Sequence, residues 1–371
     1  MYFVGVENAT TSGLPDVATN SSVVPFSDLT KLHRILGLSE SLFGLVLSIM
    51  HQAVLIHLRF VRHMKSFELL MTLSAVSIVC MLVIASGSAF DLGLLPFSSV
   101  LIYYRTYVWL FLMNTLLAAY GYLVVMLCLD RCVALHKPMF YGHVYVRRRC
   151  RMAQIAAPFL VGAICATKWI GFHQLADDGL SYHEDHDHSR SAHYLVLKTI
   201  GSFVEYFVSG VLMIGLCAAN VHKLRQLNKQ HSDGLRICGP AQYAWQASHR
   251  TTAKICVLLT VIYCLTNWPY AITEWFYTDE WSQEESYVIA SVAMNFLQAL
   301  YLQINLILFA LLSRVYRRTL LSIFRRCIST RGSLDVTVDQ MSEVSSVDGY
   351  YLRKDESGEH LCRFSVGSTT S

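Results

Sequence analysis

The stretch MLCLDRCVALHKP, residues 126 to 138, sets an acid beside a base at the end of a long apolar run. Asp130 and Arg131 are neighbours, and Lys137 and Pro138 follow within a few positions. Charged groups close to lipid cost free energy and commonly mark functional sites. The pair is therefore either an interfacial ion pair that only sets the depth of a helix, or a functional group.

A second group with possible chemistry is the stretch SYHEDHDHSRSAHY, in which four histidines alternate with carboxylates. Histidine and carboxylate are zinc ligands, and histidine titrates near neutral pH. The metal candidates are His183, His186 and His188, and the alternative is a flexible hydrophilic loop. A metal-dependent membrane enzyme would carry such histidines on several loops, whereas here they share one. We therefore expect neither an enzyme nor a cofactor.

The apolar residues of the chain are concentrated in runs. Of 371 residues 54% are hydrophobic and 15% are charged, against about a quarter charged in soluble domains. Runs of bilayer length, about 20 residues, occupy 36–58, 68–90, 106–129, 153–173, 195–219, 253–277 and 287–312. A soluble all-α protein rarely has seven of them. We predict an all-α membrane protein with a seven-helix transmembrane bundle. A transporter is disfavoured because the sequence shows no internal repeat.

The charges between the runs predict the orientation. Lysine and arginine are concentrated after runs one, three, five and seven, and acids after runs four and six. Because short cytoplasmic loops carry the basic residues, we expect the N-terminus outside and the C-terminus inside. The basic residues are dispersed over membrane-side loops without a binding module, so no nucleic-acid partner is expected.

The tails and boundaries follow from this topology. Asn8 and Asn20 begin glycosylation sequons in an extracellular tail, 1–34. No cleavable signal peptide is recognised, so the first run is expected to direct insertion. The bundle is predicted over 35–312, an amphipathic cytoplasmic helix over 313–328 and a disordered tail over 329–371. No cysteine falls in the extracellular segments, so no extracellular disulfide framework is expected.

At this point the chain resembles the rhodopsin-like (class A) G-protein-coupled receptors, as a divergent member of the peptide-receptor kind. That family ends its third helix in an acid–arginine–aromatic triad with a proline some seven residues on; here Asp130-Arg131-Cys132 and Pro138 stand there. In span six, YCLTNWPY supplies Trp268 and Pro269. In span seven, Asn305 matches the first residue of the family's Asn-Pro-x-x-Tyr motif, with Leu306 in place of the proline and Phe309 in place of the tyrosine.

The amphipathic helix and tail also match the family pattern. Residues 314–326 alternate basic with apolar side chains, which is typical of a helix lying among lipid headgroups. Cys327 at its end is a candidate palmitoylation site. The polar tail is rich in serine and threonine, and its phosphorylation would suit an arrestin.

The resemblance implies a mechanism. An extracellular ligand biases a two-state equilibrium, span six swings at the Pro269 kink, and Arg131 leaves Asp130 to meet a heterotrimeric G protein at the plasma membrane. The alternative is a seven-transmembrane receptor that couples to arrestin, or escorts another receptor, without activating a G protein.

Several departures from the family pattern put parts of this mechanism in doubt. Thr106 replaces the cysteine that tethers the outer loop, so that loop is expected to be mobile or held by other contacts. Ser77 and Tyr120 replace polar groups of the sodium site. Phe309 lacks the tyrosine hydroxyl that helps to hold the active state.

The resemblance also places a ligand pocket in the outer halves of spans three, five, six and seven. Met113 replaces the aspartate of amine receptors, and Ala299 the lysine of opsins, so neither ligand class is expected. The expected pocket residues are Met113, Asn114, Leu117, Trp268, Thr273, Glu274, Asn295 and Gln298. Glu274 and the acidic outer loops favour a cationic peptide or small molecule.

Overall fold

The computed structural model describes residues 26–62, 68–95, 98–145, 147–170, 173–175, 182–184, 191–232, 240–275 and 285–329. Its α-helices are Phe26–Arg62, Glu68–Asp91, Ser99–Tyr103, Leu110–His136, Pro138–Phe140, Arg148–Ala166, Ala192–Ser202, Ser209–Ser232, Pro240–Trp275, Glu285–Leu312 and Arg314–Ser329. Three π-helical segments, Tyr104–Trp109, Tyr141–Tyr145 and Phe203–Val208, and a 3₁₀ turn, Thr167–Trp169, continue these helices.

Seven helical segments in the described part of the chain are long and apolar enough to cross a bilayer. We number them as spans one to seven: Lys31–Arg59, Glu68–Asp91, Ser99–His136, Arg148–Trp169, Ala192–Lys229, Thr251–Thr273 and Ile289–Leu312. The predicted fold class, a seven-helix transmembrane bundle, is confirmed. The chain is a multi-pass membrane protein.

The burial pattern explains the arrangement. Large apolar side chains on the outside of the bundle are exposed, for example Phe43 at 62% and Leu265 at 66%, and such a surface is stable only against lipid. Span three lies at the centre and packs against spans two, four, five and six. Its side chains Met113, Tyr120 and Cys128 are completely buried. A functional group on the buried face of span three is therefore surrounded by other helices.

Span three is longer than the apolar run predicts. The run begins at 106, but the span begins at Ser99 and contains Arg105, whose side chain is buried. The guanidinium of Arg105 binds the carboxylate of Asp91 through two nitrogens, at 3.1 and 2.8 Å. Because this ion pair neutralises the charge inside the bundle, the helix continues past the point where hydropathy alone ends it.

Two other boundaries differ from the sequence-based expectation. The first helix begins at Phe26, ahead of the predicted start of the bundle at 35. Strands His173–Leu175 and Tyr182–Glu184 form an antiparallel pair within the loop after span four, with His173 opposite Glu184. The expectation for this loop is that it is mobile or held by ligand or other contacts, and it contains a short ribbon.

Each end of the bundle contains a buried arginine paired with an aspartate. We call the end with the last turns of span three the Asp130 end, and the end with the last turn of span two the Asp91 end. Successive spans run in opposite directions, so both ends collect residues from all the described spans. The candidate site lies at the Asp130 end and reaches toward the middle of the bundle.

Candidate functional site

The buried carboxylate of Asp130 is the centre of the site, with no exposed surface. Its Oδ1 accepts a hydrogen bond of 2.7 Å from Nη1 of Arg151, a residue of span four. Its Oδ2 lies 3.4 Å from Nη2 of Arg131. The hydroxyl of Tyr141 lies 3.3 Å from both oxygens and donates to them. One carboxylate therefore interacts with two guanidiniums and one phenol hydroxyl.

The chain brings these groups together through a sharp turn after span three. Lys137 leaves the helical conformation, and Pro138 occupies the first position of the next helix, where its missing N–H costs nothing. The π-helical segment that follows contains Tyr141 and Tyr145. Burial raises the pKa of both phenols, and the Asp130 charge adds to the effect. Tyr141 is therefore a neutral hydrogen-bond donor at physiological pH.

The expected ion pair between Arg131 and Asp130 is present, but it is the longer of the two. Arg151 makes the shorter bond, a role that was not predicted from the sequence. The available signal was a basic residue in the first turn of span four, but four basic residues stand close together there: Arg147, Arg148, Arg149 and Arg151. Only the structure distinguishes the buried one.

Spans three and seven are joined by hydrogen bonds near the middle of the bundle. The side-chain amide of Asn305 donates to the Tyr120 hydroxyl, which lies 3.4 Å from the carbonyl oxygen of Leu302. Ser77 of span two donates to the same carbonyl at 3.0 Å, and its Oγ lies 2.8 Å from that of Ser48. Protein groups thus bind one another where the resemblance places a sodium ion.

The end of span seven is tied to span one and to the terminal helix Arg314–Ser329. Nδ1 of His51 lies 2.6 Å from the hydroxyl of Tyr316, and Phe309 packs against both rings. Burial raises the pKa of Tyr316. Phe309 has no hydroxyl, but the tyrosine seven residues later supplies one at the same cluster.

Span six carries Pro269 within its helix. A proline there removes a backbone hydrogen bond and permits a kink. The hydroxyl of Thr273 donates to the Pro269 carbonyl at 2.9 Å. The indole N–H of Trp268 donates to the Tyr206 carbonyl at 3.1 Å, and its ring stacks on Phe207 of span five. Trp268 was expected in the pocket, but the structure places it against span five.

A small cavity lies between spans three, five, six and seven. Its volume is about 10 Å³, which is about the space of one water molecule. Leu117 and Gln298, both expected in the pocket, line it together with Asn267, Tyr301 and Glu205. The Gln298 amide donates to Asn267 at 3.4 Å.

Of the other expected pocket residues, those whose side chains are described are not in the cavity wall. Met113 and Asn114 are buried in span three, where the Asn114 amide donates to the Leu110 carbonyl at 2.8 Å. Asn295 is buried in span seven.

A buried ion pair between spans four and five was also missed. Nζ of Lys168 lies 2.8 Å from the hydroxyl of Ser202 and 3.4 Å from Oε2 of Glu205. In the sequence, Glu205 is the one acid of the apolar run 195–219. The pairing offsets the cost of this charge, since a charge in the membrane requires an opposite charge or hydrogen bonds.

Some expected functional residues cannot be placed. Asn8, Asn20, His186 and His188 lie outside the described residues, as do the side chains of His183, Glu274 and Cys327. Among the residues that are described, no cluster of metal-ligating side chains occurs.

Comparison with protein families adds an independent observation. Residues 180–327 match the family described as serpentine type 7TM GPCR chemoreceptor Srw. The matched part contains spans five, six and seven and most of the terminal helix, and thus Pro269, Asn305 and Phe309. No curated protein matches the chain. The match supports a GPCR-type receptor, and the narrower rhodopsin-like assignment stays a prediction.

Proposed function

We propose that the chain is a G-protein-coupled chemoreceptor of the plasma membrane. The observation that carries the proposal is Arg131 beside the buried carboxylate of Asp130, at the end of the third of seven spans. The family match over residues 180–327 supports it. By the positive-inside rule the Asp130 end faces the cytoplasm, where a heterotrimeric G protein would bind.

The proposed activation step uses span six. Beyond Pro269, toward the Asp130 end, Ile255, Cys256 and Leu259 of this span are buried in the core. A swing about the proline would withdraw these side chains from span three and open a cavity beside Arg131. The guanidinium would then leave Asp130 for the C-terminal helix of a Gα subunit. Ligand binding would shift the equilibrium toward this open state, with a coupling free energy that is typically about 1–3 kcal/mol.

For the ligand we propose a cation, either a peptide or a small molecule. The acidic loops at the Asp91 end support this because they attract positive charge at long range. The cavity lined by Leu117 and Gln298 has room for about one water molecule. A ligand would therefore bind above it, toward the Asp91 end, or widen it on binding.

Gα activation in cells tests the receptor function. Wild type, Arg131→Ala and Arg149→Ala are compared at matched surface expression, with and without a library of cationic peptides. Arg149 is an exposed arginine of the same end, so its removal controls for the loss of one basic charge. The expected result is a signal that Arg131→Ala abolishes and Arg149→Ala retains.

Equal signals from Arg131→Ala and wild type would contradict the proposed switch. Silence of every variant together with arrestin recruitment by the wild type would favour the alternative, a receptor that binds arrestin without activating a G protein.

The cationic ligand has a separate test. Glu274→Lys should lower the potency of the active cationic peptide at least tenfold if the carboxylate contacts it. Glu284→Lys reverses a charge in the acidic loop that follows and reports the long-range attraction alone. Equal potency in wild type and Glu274→Lys would exclude that contact.

A further inference from the structure

Asp130 lies between two arginines that reach it in different ways. Neighbouring residues of an α-helix point in directions about 100° apart and do not face each other. Arg131 therefore has to turn back along its own helix, and its Nη2 stays at 3.4 Å from the carboxylate. Arg151 approaches from another helix, and its Nη1 lies at 2.7 Å. The shorter, better directed contact is the stronger one.

Arg151 is also held in place by its other contacts. Its Nη1 donates to Oε1 of Gln154 at 3.1 Å, and its Nε lies 4.0 Å from Oε2 of Glu68. Its guanidinium lies 5.9 Å from the centre of the Tyr145 ring. The whole residue is 1% exposed. Arg151 is therefore fixed toward Asp130 without any contribution from Arg131.

Arg131, by contrast, has fewer contacts that hold it. Its 3.4 Å approach to Asp130 is the one ion pair it makes among the described residues, and its Nε, like Nε and Nη2 of Arg151, has no hydrogen-bond partner there. Arg131 shares the carboxylate of Asp130 with two other donors, because Oδ1 accepts from Arg151 and both oxygens accept from Tyr141. Without Arg151, the Asp130 charge would have Arg131 as its one guanidinium partner and would attract it more strongly.

We propose that Arg151 is a positioning residue that occupies Asp130 and thereby keeps Arg131 available to the G protein. The inference rests on the proposed receptor function. The competition between the two arginines sets the ligand-independent signal. A chain with this arrangement has a higher basal signal than one in which Asp130 holds Arg131 alone.

The experiment measures basal Gα activation at matched surface expression. Arg151→Met, which removes the charge and keeps the length, should lower the basal signal about fivefold or more, the lower end of typical allosteric couplings. Arg151→Lys keeps a cation at the carboxylate and should retain most of the signal. Arg149→Met removes an exposed charge from the same helix and should leave it unchanged.

Asp130→Asn shows whether the effect acts through the carboxylate. This substitution releases both arginines and should raise the basal signal. The double variant Asp130→Asn with Arg151→Met should have the same basal signal as Asp130→Asn alone. A double variant that loses as much signal as Arg151→Met alone would overturn the proposal. An unchanged or raised basal signal in Arg151→Met would also overturn it.

If Arg151→Met does not reach the surface, Tyr141→Phe is the substitute variant. It removes a weaker donor from Asp130 and should lower the basal signal by a smaller factor than the one expected for Arg151→Met.

A second readout needs no G protein and therefore separates this inference from the proposed function. The purified chain is labelled with ¹⁵N-arginine in lipid nanodiscs, and the Arg131 guanidinium signal is assigned by its loss in Arg131→Lys. Rotation of that guanidinium should slow at least severalfold in Arg151→Met and remain unchanged in Arg149→Met. Unchanged rotation in both variants would overturn the proposal even if Arg131 proves essential for signalling.

Discussion

The side-chain amide of Asn305 donates a hydrogen bond to the hydroxyl of Tyr120, and this bond joins span seven to span three in the middle of the bundle. The Tyr120 ring also packs edge-on against Tyr301, with the ring centres 5.2 Å apart. Both tyrosines are buried, but only one has a paired hydroxyl. The hydroxyl of Tyr301 has no hydrogen-bond partner among the described atoms.

These two tyrosines provide a matched pair of substitutions. Tyr120→Phe removes a buried partner of Asn305 and should destabilise the chain by about 1–3 kcal/mol. Tyr301→Phe removes an unpaired hydroxyl and should be neutral or slightly stabilising. Thermal unfolding of the purified chain in one detergent measures both. A larger loss in Tyr301→Phe than in Tyr120→Phe would contradict the hydrogen-bond assignment.

The ion pair between Lys168 and Glu205 predicts a strongly non-additive double mutant. Lys168→Met or Glu205→Gln alone leaves a buried charge without this partner and should cost about 3–5 kcal/mol. The double variant removes both charges and should be more stable than either single variant. A double-mutant cycle in thermal stability measures the coupling, and additive losses would show that the two charges act independently.

At the Asp91 end, the ion pair between Arg105 and Asp91 should contribute more to the stability of the chain than a surface ion pair does. Its two bonds are 3.1 and 2.8 Å long, and the arginine is buried. Arg105 also lies over the ring of Trp109, 3.9 Å from its centre. Arg105→Met should therefore lower the unfolding temperature markedly.

The matched control for Arg105 is Arg59, which lies 3.8 Å from Glu68 at an exposed position. Pairs of this kind contribute about 0–1 kcal/mol. Arg59→Met should therefore shift the unfolding temperature little under the same conditions. Equal shifts in the two variants would mean that burial adds nothing to the Arg105 pair.

The contact between His51 and Tyr316 should control docking of the terminal helix. Tyr316→Phe keeps the ring but loses the hydrogen bond, a loss of about 1 kcal/mol. Amide hydrogen exchange in Arg314–Ser329 should therefore rise roughly fivefold. Ser322→Ala is the control, because the Ser322 hydroxyl donates only within this helix, to the Thr319 carbonyl. Protection that is equal in Tyr316→Phe and wild type would exclude this role.

The sequence correctly predicted the seven spans because crossing a bilayer is a local property. Each span must satisfy its own backbone hydrogen bonds and present apolar side chains over about 20 residues. The composition of a single run is therefore enough to recognise it. The same reasoning places a kink at Pro269 within span six, since the effect of a proline on the backbone is also local.

Hydropathy failed where a charge lies inside a span. By hydropathy the apolar run ends at Arg105, yet the helix continues past it because Asp91 neutralises its charge. Glu205 appeared as an isolated acid because its partner Lys168 is 37 positions away. The composition of a run contains no information about a neutralising partner on another span.

The sequence by itself determined the number of spans, the place of Asp130 and Arg131 at the end of span three, and the amphipathic terminal helix, because each depends on a short stretch of chain. Only the tertiary structure decided that Arg151 rather than Arg131 makes the shorter bond to Asp130, that Tyr120 binds Asn305, and that Trp268 faces span five. These contacts depend on how each helix is rotated against its neighbours. That rotation is set by the close packing of the whole core. For example, a Cβ added to Gly210 would lie only 2.7 Å from the Trp268 indole.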